Sequence, residues 1–147
     1  MKERILTLSV GALMALGTVA VAAQEKTATR DGSAAPEVFV VQLVDISPTE
    51  FEYRPAHITV RQGSVVRFVQ TGVMPHNVEF RDTPSGVDFG ASRVGPFIIQ
   101  KGAVYEIEID ERFKIGDYAF VCTPHEFMGM KGTLTVVASE GRPASTP

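Results

Sequence analysis

Cysteine is nearly absent from this chain: its 147 residues contain one, Cys122. An internal disulfide is therefore excluded, and so is any site that needs two thiolates. Charge of one sign is also scarce. The formal net charge is -3, and Lys and Arg form no basic block, so nothing argues for nucleic acid as a partner. Little of the pattern is helical, no internal repeat is present, and the five methionines form no Met-rich tract. No cysteine follows the N-terminal apolar run as a lipid attachment site would require, and no twin-arginine pair precedes it. Hydrophobic and charged residues make up 44% and 21%, which is ordinary for a globular protein, and the length predicts one folded domain.

Met1 to Ala23 reads as a secretory signal peptide. Lys2 and Arg4 give the positive start, Ile5 to Val21 is mostly apolar, and Val21-Ala22-Ala23 is a small-residue cleavage site. A retained membrane anchor is the alternative, since the run approaches spanning length. Cleavage predicts an exported chain, periplasmic in a Gram-negative source, with no stable membrane insertion afterwards. It removes Lys2, Glu3 and Arg4, a net +1, and takes the charge from -3 to -4. Residues 24–36 form a polar, small-residue leader, and 139–147 form a similar tail. A domain over 37–138 lies between them.

That domain reads as strand after strand. Val38 to Val44 is rich in β-branched residues, Ile58 to Val60 follows Pro55, and Gln62-Gly63 turns the chain into Val65 to Val69. Val78 to Phe80 is extended. From Val104 to Ile109, Tyr105, Ile107 and Ile109 are predicted to face inward, with Glu106, Glu108 and Asp110 as a solvated stripe. Asp82 to Lys101, broken by Pro84, Gly86, Gly90, Gly95 and Pro96, reads as a long connection. Short strands with Gly and Pro punctuation predict an all-β fold, two antiparallel sheets packed as a sandwich.

The most informative stretch is Tyr118 to Gly132, YAFVCTPHEFMGMKG. It begins as an alternating strand with Tyr118, Phe120 and Cys122 on one face, turns at Thr123-Pro124, and re-enters a strand over Gly132 to Val137. The loop carries a thiol (Cys122), an imidazole (His125) and two thioethers (Met128 and Met130). Such a soft nitrogen-and-sulfur set suits copper better than magnesium, calcium or manganese, which favour oxygen. By itself, Cys122 could be a buried, inert thiol.

Cys122-Thr-Pro-His125-Glu-Phe-Met128-Gly-Met130 resembles the ligand loop of the small blue-copper proteins, the cupredoxins, and among them plastocyanins and pseudoazurins most. Their pattern is Cys, two residues, His, four residues, Met, which places Met130 last, with Met128 as its competitor. The family's remaining ligand is an upstream His followed by Asn, which Val73-Met74-Pro75-His76-Asn77-Val78 resembles. The likeness runs from about Phe51 to Val137. It implies a Greek-key β-sandwich that binds one copper ion through His76, Cys122, His125 and Met130 and cycles it between Cu(I) and Cu(II). It further implies that Asn77 clamps the two loops through hydrogen bonds to the Thr123 region. In the same likeness His125 offers its ring edge as the electron's doorway, within an apolar docking patch of Met74, Pro75, Phe127 and Met128; Phe127 and Met128 could instead pack inward.

Two departures bear on partners. Val121 stands where plastocyanins carry a tyrosine, and the lysine richness of pseudoazurins is missing. The expected function is that of an exported, monomeric electron carrier, not an enzyme. Its partners are transient redox proteins: a cytochrome, an oxidase or a reductase. The alternatives are a copper storage or delivery protein of the same fold, and a zinc hydrolase with Glu126 as base. His57 reads as exposed and non-ligating.

Overall fold

The computed structural model describes residues 35–139. The signal peptide over 1–23, nearly all of the 24–36 leader and all but the first residue of the 139–147 tail lie outside the described residues.

Among the described residues, eight strands follow the polar–apolar alternation of the sequence. They are β1 (Val38–Ser47), β2 (Glu50–Arg54), β3 (His57–Arg61), β4 (Val65–Gln70), β5 (Glu79–Asp82), β6 (Val104–Glu108), β7 (Gly116–Val121) and β8 (Lys131–Val137). Two short 3-10 helices, Gly90–Arg93 and Thr123–Met128, complete the fold. In β3, Ile58 and Val60 are buried while His57, Thr59 and Arg61 are exposed, the period of two expected of a strand with one wet face. In β6, Tyr105 and Ile107 are half-buried, and Glu106 and Glu108 are exposed as expected.

The strands form two four-stranded sheets, ordered β2-β1-β4-β6 and β3-β8-β7-β5. The sandwich holds, but its sheets are mixed rather than antiparallel throughout. β1 pairs with β4 in parallel, from Val38 opposite Val65 to Leu43 opposite Gln70. β3 pairs with β8 in parallel, from His57 opposite Thr133 to Arg61 opposite Val137. Parallel neighbours need a crossover, and the chain supplies one by leaving the first sheet after β2, running through β3 in the second, and returning as β4. Alternation encodes which face a residue occupies and not which way its neighbour runs, so the sequence carries no sign of this.

The second difference is β2, which the sequence reading passes over. Phe51 and Tyr53 are buried there, with Glu50 and Arg54 exposed, and the strand forms a tight hairpin with β1 in which Ser47 lies opposite Glu50. Inner-face aromatics from both sheets meet edge to face in the core, Tyr53 against Phe120 with centroids 4.8 Å apart and Phe68 against Phe120 at 5.7 Å. That geometry sets the positive edge of one ring on the negative face of the next.

The connection from β5 to β6 is long, as read, and it returns to brace the loop that carries His76. Ile98, almost fully buried, exchanges backbone hydrogen bonds with His76 (3.2 and 2.7 Å), and the Gly95 amide donates to the Val78 carbonyl. The buried Gln70 side chain donates to the carbonyls of Met74 and Ile98. The upstream loop is therefore held from two sides before any side chain in it acts.

Candidate metal centre

The Cys-x-x-His spacing has a local geometric meaning. Instead of a simple turn, Thr123–Met128 is a 3-10 helix with Cys122 at its N-terminal cap and Pro124 in its first turn. Residues three apart eclipse on such a helix. The His125 amide donates to the Cys122 carbonyl at 3.0 Å, which brings the two side chains to one side. Gly129 ends the helix at φ +89°, a left-handed conformation that suits glycine. The chain then doubles back: the Met130 amide donates to the His125 carbonyl, and the Cys122 amide to the Met130 carbonyl, each at 3.1 Å.

His76 arrives from the other loop. Its Nδ1 lies 3.0 Å from Nδ1 of His125 and 3.6 Å from Sγ of Cys122, and the Cys122 sulfur lies 3.4 Å from His125 Nδ1. All three residues are buried, and their three donor atoms fall within 4.8 Å of one another. Two imidazole nitrogens and one sulfur converging at this range fit a single soft or borderline ion, and copper among the first-row metals. Met130, also brought to this end, is fully buried, whereas its competitor Met128 is 46% exposed.

Burial favours the neutral form of both Cys122 and His125, so a metal must displace a proton from the thiol while the imidazole already offers a lone pair. Burial pushes the Cys122 thiol up, against the opposing effect of hydrogen bonds from the Asn77 and His125 amides. Burial likewise pushes the His125 imidazole down, with help from the neighbouring His76.

Around the donors, Asn77 and Thr123 join the two loops reciprocally. Asn77 Nδ2 donates to Thr123 Oγ1 at 2.9 Å, and the Thr123 amide donates to Asn77 Oδ1 at 2.8 Å. Thr123 Oγ1 in turn donates to Glu79 Oε2, and Arg81 donates to both Glu79 and Glu126. The buried Tyr53 hydroxyl, raised by desolvation and then by Cys122, donates to the Asn77 carbonyl at 2.7 Å. Glu126, which a hydrolase would need as a base, is thus committed to an ion pair with Arg81.

Three functional contacts escaped the sequence reading. Phe51 of β2 stacks on His125, centroids 4.0 Å apart and planes 23° from parallel. Glu79 and Arg81 extend the loop clamp. Asp45 of β1 places a carboxylate oxygen 2.7 Å from His76 Nε2. One signal could have found Asp45: it falls in phase with the inward-facing Val41 and Leu43, where a carboxylate is out of place. Phe127 is 99% exposed, Met74 and Met128 nearly half exposed, and Pro75 exposed, while His125 keeps only 6% of its surface in solvent. His57 is exposed on β3, away from the cluster.

Comparison with known proteins gives a consistent picture. The profile described as "Copper binding proteins, plastocyanin/azurin family" matches residues 40–137. A plastocyanin of Prochlorothrix hollandica is 37% identical over 57% of this chain and 62% of its own length, so the match spans less than two thirds of that relative. An amicyanin of Paracoccus versutus is 31% identical over 80% of this chain and 84% of its own. Among solved structures, the oxidized plastocyanin of Dryopteris crassirhizoma superposes with a TM-score of 0.54 at 31% identity, covering 67% of this chain and 99% of that one.

Proposed function

The chain belongs to the plastocyanin/azurin family of copper-binding proteins, and from that premise we propose that it carries single electrons on one copper ion. The observation that carries this reading is the convergence of His76 Nδ1, Cys122 Sγ and His125 Nδ1 within 3.0–3.6 Å, buried between two loops that are tied to each other. His76, Cys122 and His125 would hold the ion, with the thioether of the buried Met130 as a further soft donor. Bound there, copper supplies a one-electron couple, Cu(I)/Cu(II), in a site of the blue-copper type.

The chain's own part is to hold its donors still. The Asn77–Thr123 exchange and the two backbone bonds of Met130 fix the loop, so both oxidation states meet one arrangement and little has to move when an electron passes. The nearly buried His125 edge is the doorway. Met74, Pro75, Phe127 and Met128 form the apolar rim on which a cytochrome, oxidase or reductase docks briefly, a contact at the small end of interface sizes. The protein works as an exported monomer, its signal peptide over 1–23 removed, and converts no substrate. Among the described residues no helix is long and apolar enough to cross a membrane.

Titrating Cu(II) into the purified metal-free protein tests the reading. An intense blue colour is expected in the wild type and none in Cys122→Ser. A colourless wild-type complex rejects it. A storage or delivery protein would instead give up its copper readily to a chelator.

A further inference from the structure

We infer that Asp45 is the positioning residue that sets His76 for the metal, fixing which ring nitrogen keeps its lone pair. The inference rests on the ligand role given to His76 above. Asp45 lies on β1, thirty-one positions from His76, where the β1–β2 register shifts between Asp45 and Ser47. Such an irregularity re-aims side chains. One carboxylate oxygen meets His76 Nε2 at 2.7 Å, and the other accepts the amides of Val73 (2.7 Å) and Met74 (3.0 Å). Three groups from a single four-residue loop therefore gather on one side chain from another strand.

An ionised carboxylate only accepts, so every group facing it has to donate. Nε2 of His76 then carries the ring proton, and Nδ1 turns an unprotonated lone pair toward Cys122 and His125. Ligating histidines commonly rely on a carboxylate or carbonyl on the far nitrogen in this way, which raises their basicity. Space for the contact is kept by Gly72: a Cβ there would fall 2.3 Å from the Asp45 carboxyl carbon. Asp45 and Gly72 thus form one device, a carboxylate and the gap that admits it.

Asparagine has nearly the same shape but the wrong polarity. The Val73 and Met74 amides are fixed donors, so the Asn oxygen must face them and its NH2 must face the ring. Nε2 becomes an acceptor, the proton moves to Nδ1, and the nitrogen needed for the metal is blocked.

The test uses 15N-imidazole NMR on the full chain without metal, followed by Cu(II) and Cu(I) affinities, for wild type, D45N and G72A. His76 is expected as the Nε2–H tautomer in wild type and as Nδ1–H in D45N. Cu(II) affinity should fall about 10–100-fold in D45N. Where Cu(II) loses more than Cu(I), the potential rises by about 59 mV per tenfold difference. G72A keeps the carboxylate but displaces it, and should shift tautomer and affinity the same way; it decides the matter if D45N does not fold. An Nε2–H ring in both variants with Cu(II) affinity within about twofold of wild type overturns the assignment, as does an Nδ1–H ring in wild type. The tautomer reading needs no copper. A chain that binds none therefore defeats the electron-carrier reading while the role of Asp45 is still decided.

Discussion

At Cys122 a single sulfur sits where its charged form is disfavoured, because burial lifts the thiol's pKa above its ordinary 9.0. At neutral pH the metal must therefore displace a proton to bind. Cu(II) affinity measured by chelator competition is expected to rise about tenfold for each pH unit between 6 and 8 from this group alone, since one proton leaves per ion bound. A pH-independent affinity would mean that the sulfur is not a ligand. The companion residues act by contact rather than charge. Phe51 lies flat on the His125 ring, and the Tyr53 hydroxyl anchors the backbone of Asn77.

Among the elements, the 3-10 helix from Thr123 to Met128 matters most, because its geometry is what makes two intervening residues the right spacing for Cys122 and His125. Its end depends on Gly129. A Cβ at that position meets nothing within 4 Å, so any cost of alanine comes from the φ of +89° alone. Gly129→Ala should destabilise the fold by about 1–2 kcal/mol in urea denaturation, with the loss read as a lower midpoint at unchanged slope. No loss would show that the loop end is free to relax. β2 teaches a different lesson. Its Glu-Phe-Glu-Tyr alternation is as regular as that of β6, yet it is short and lies between Pro48 and Pro55, so it does not stand out as a strand.

Across the whole molecule, the His76–Cys122–His125 cluster and the exposed apolar Phe127 lie at one end of the sandwich. Phe127, 99% exposed beside the buried His125, fits a contact residue and serves no core. Phe127→Ser should slow electron exchange with a redox partner about tenfold, as loss of an interface hot spot does, while leaving the reduction potential unchanged. A shifted potential with unchanged exchange would place Phe127 in the site instead.

What the sequence made legible divides at this same scale. Strand faces were readable because the pleat sets them over a few residues, whereas the Cys122–His125–Met130 spacing was legible only through its likeness to a known ligand loop. Pairing direction was not readable, because β1 with β4 and β3 with β8 depend on a crossover between sheets. Asp45, Glu79 and Arg81 were hidden for a related reason: each meets its partner in the site across 31 to 45 positions of chain, and only Asp45 leaves a local trace, as a carboxylate in phase with Val41 and Leu43.

The central claim is that one ion joins His76, Cys122 and His125. Copper-edge X-ray absorption on the loaded protein tests it most directly. The account predicts two imidazole nitrogens and one short thiolate sulfur around copper in wild type, the sulfur lost in Cys122→Ser and one nitrogen lost in His76→Ala. Copper surrounded only by oxygen and nitrogen in wild type, or a spectrum indifferent to both substitutions, would contradict it.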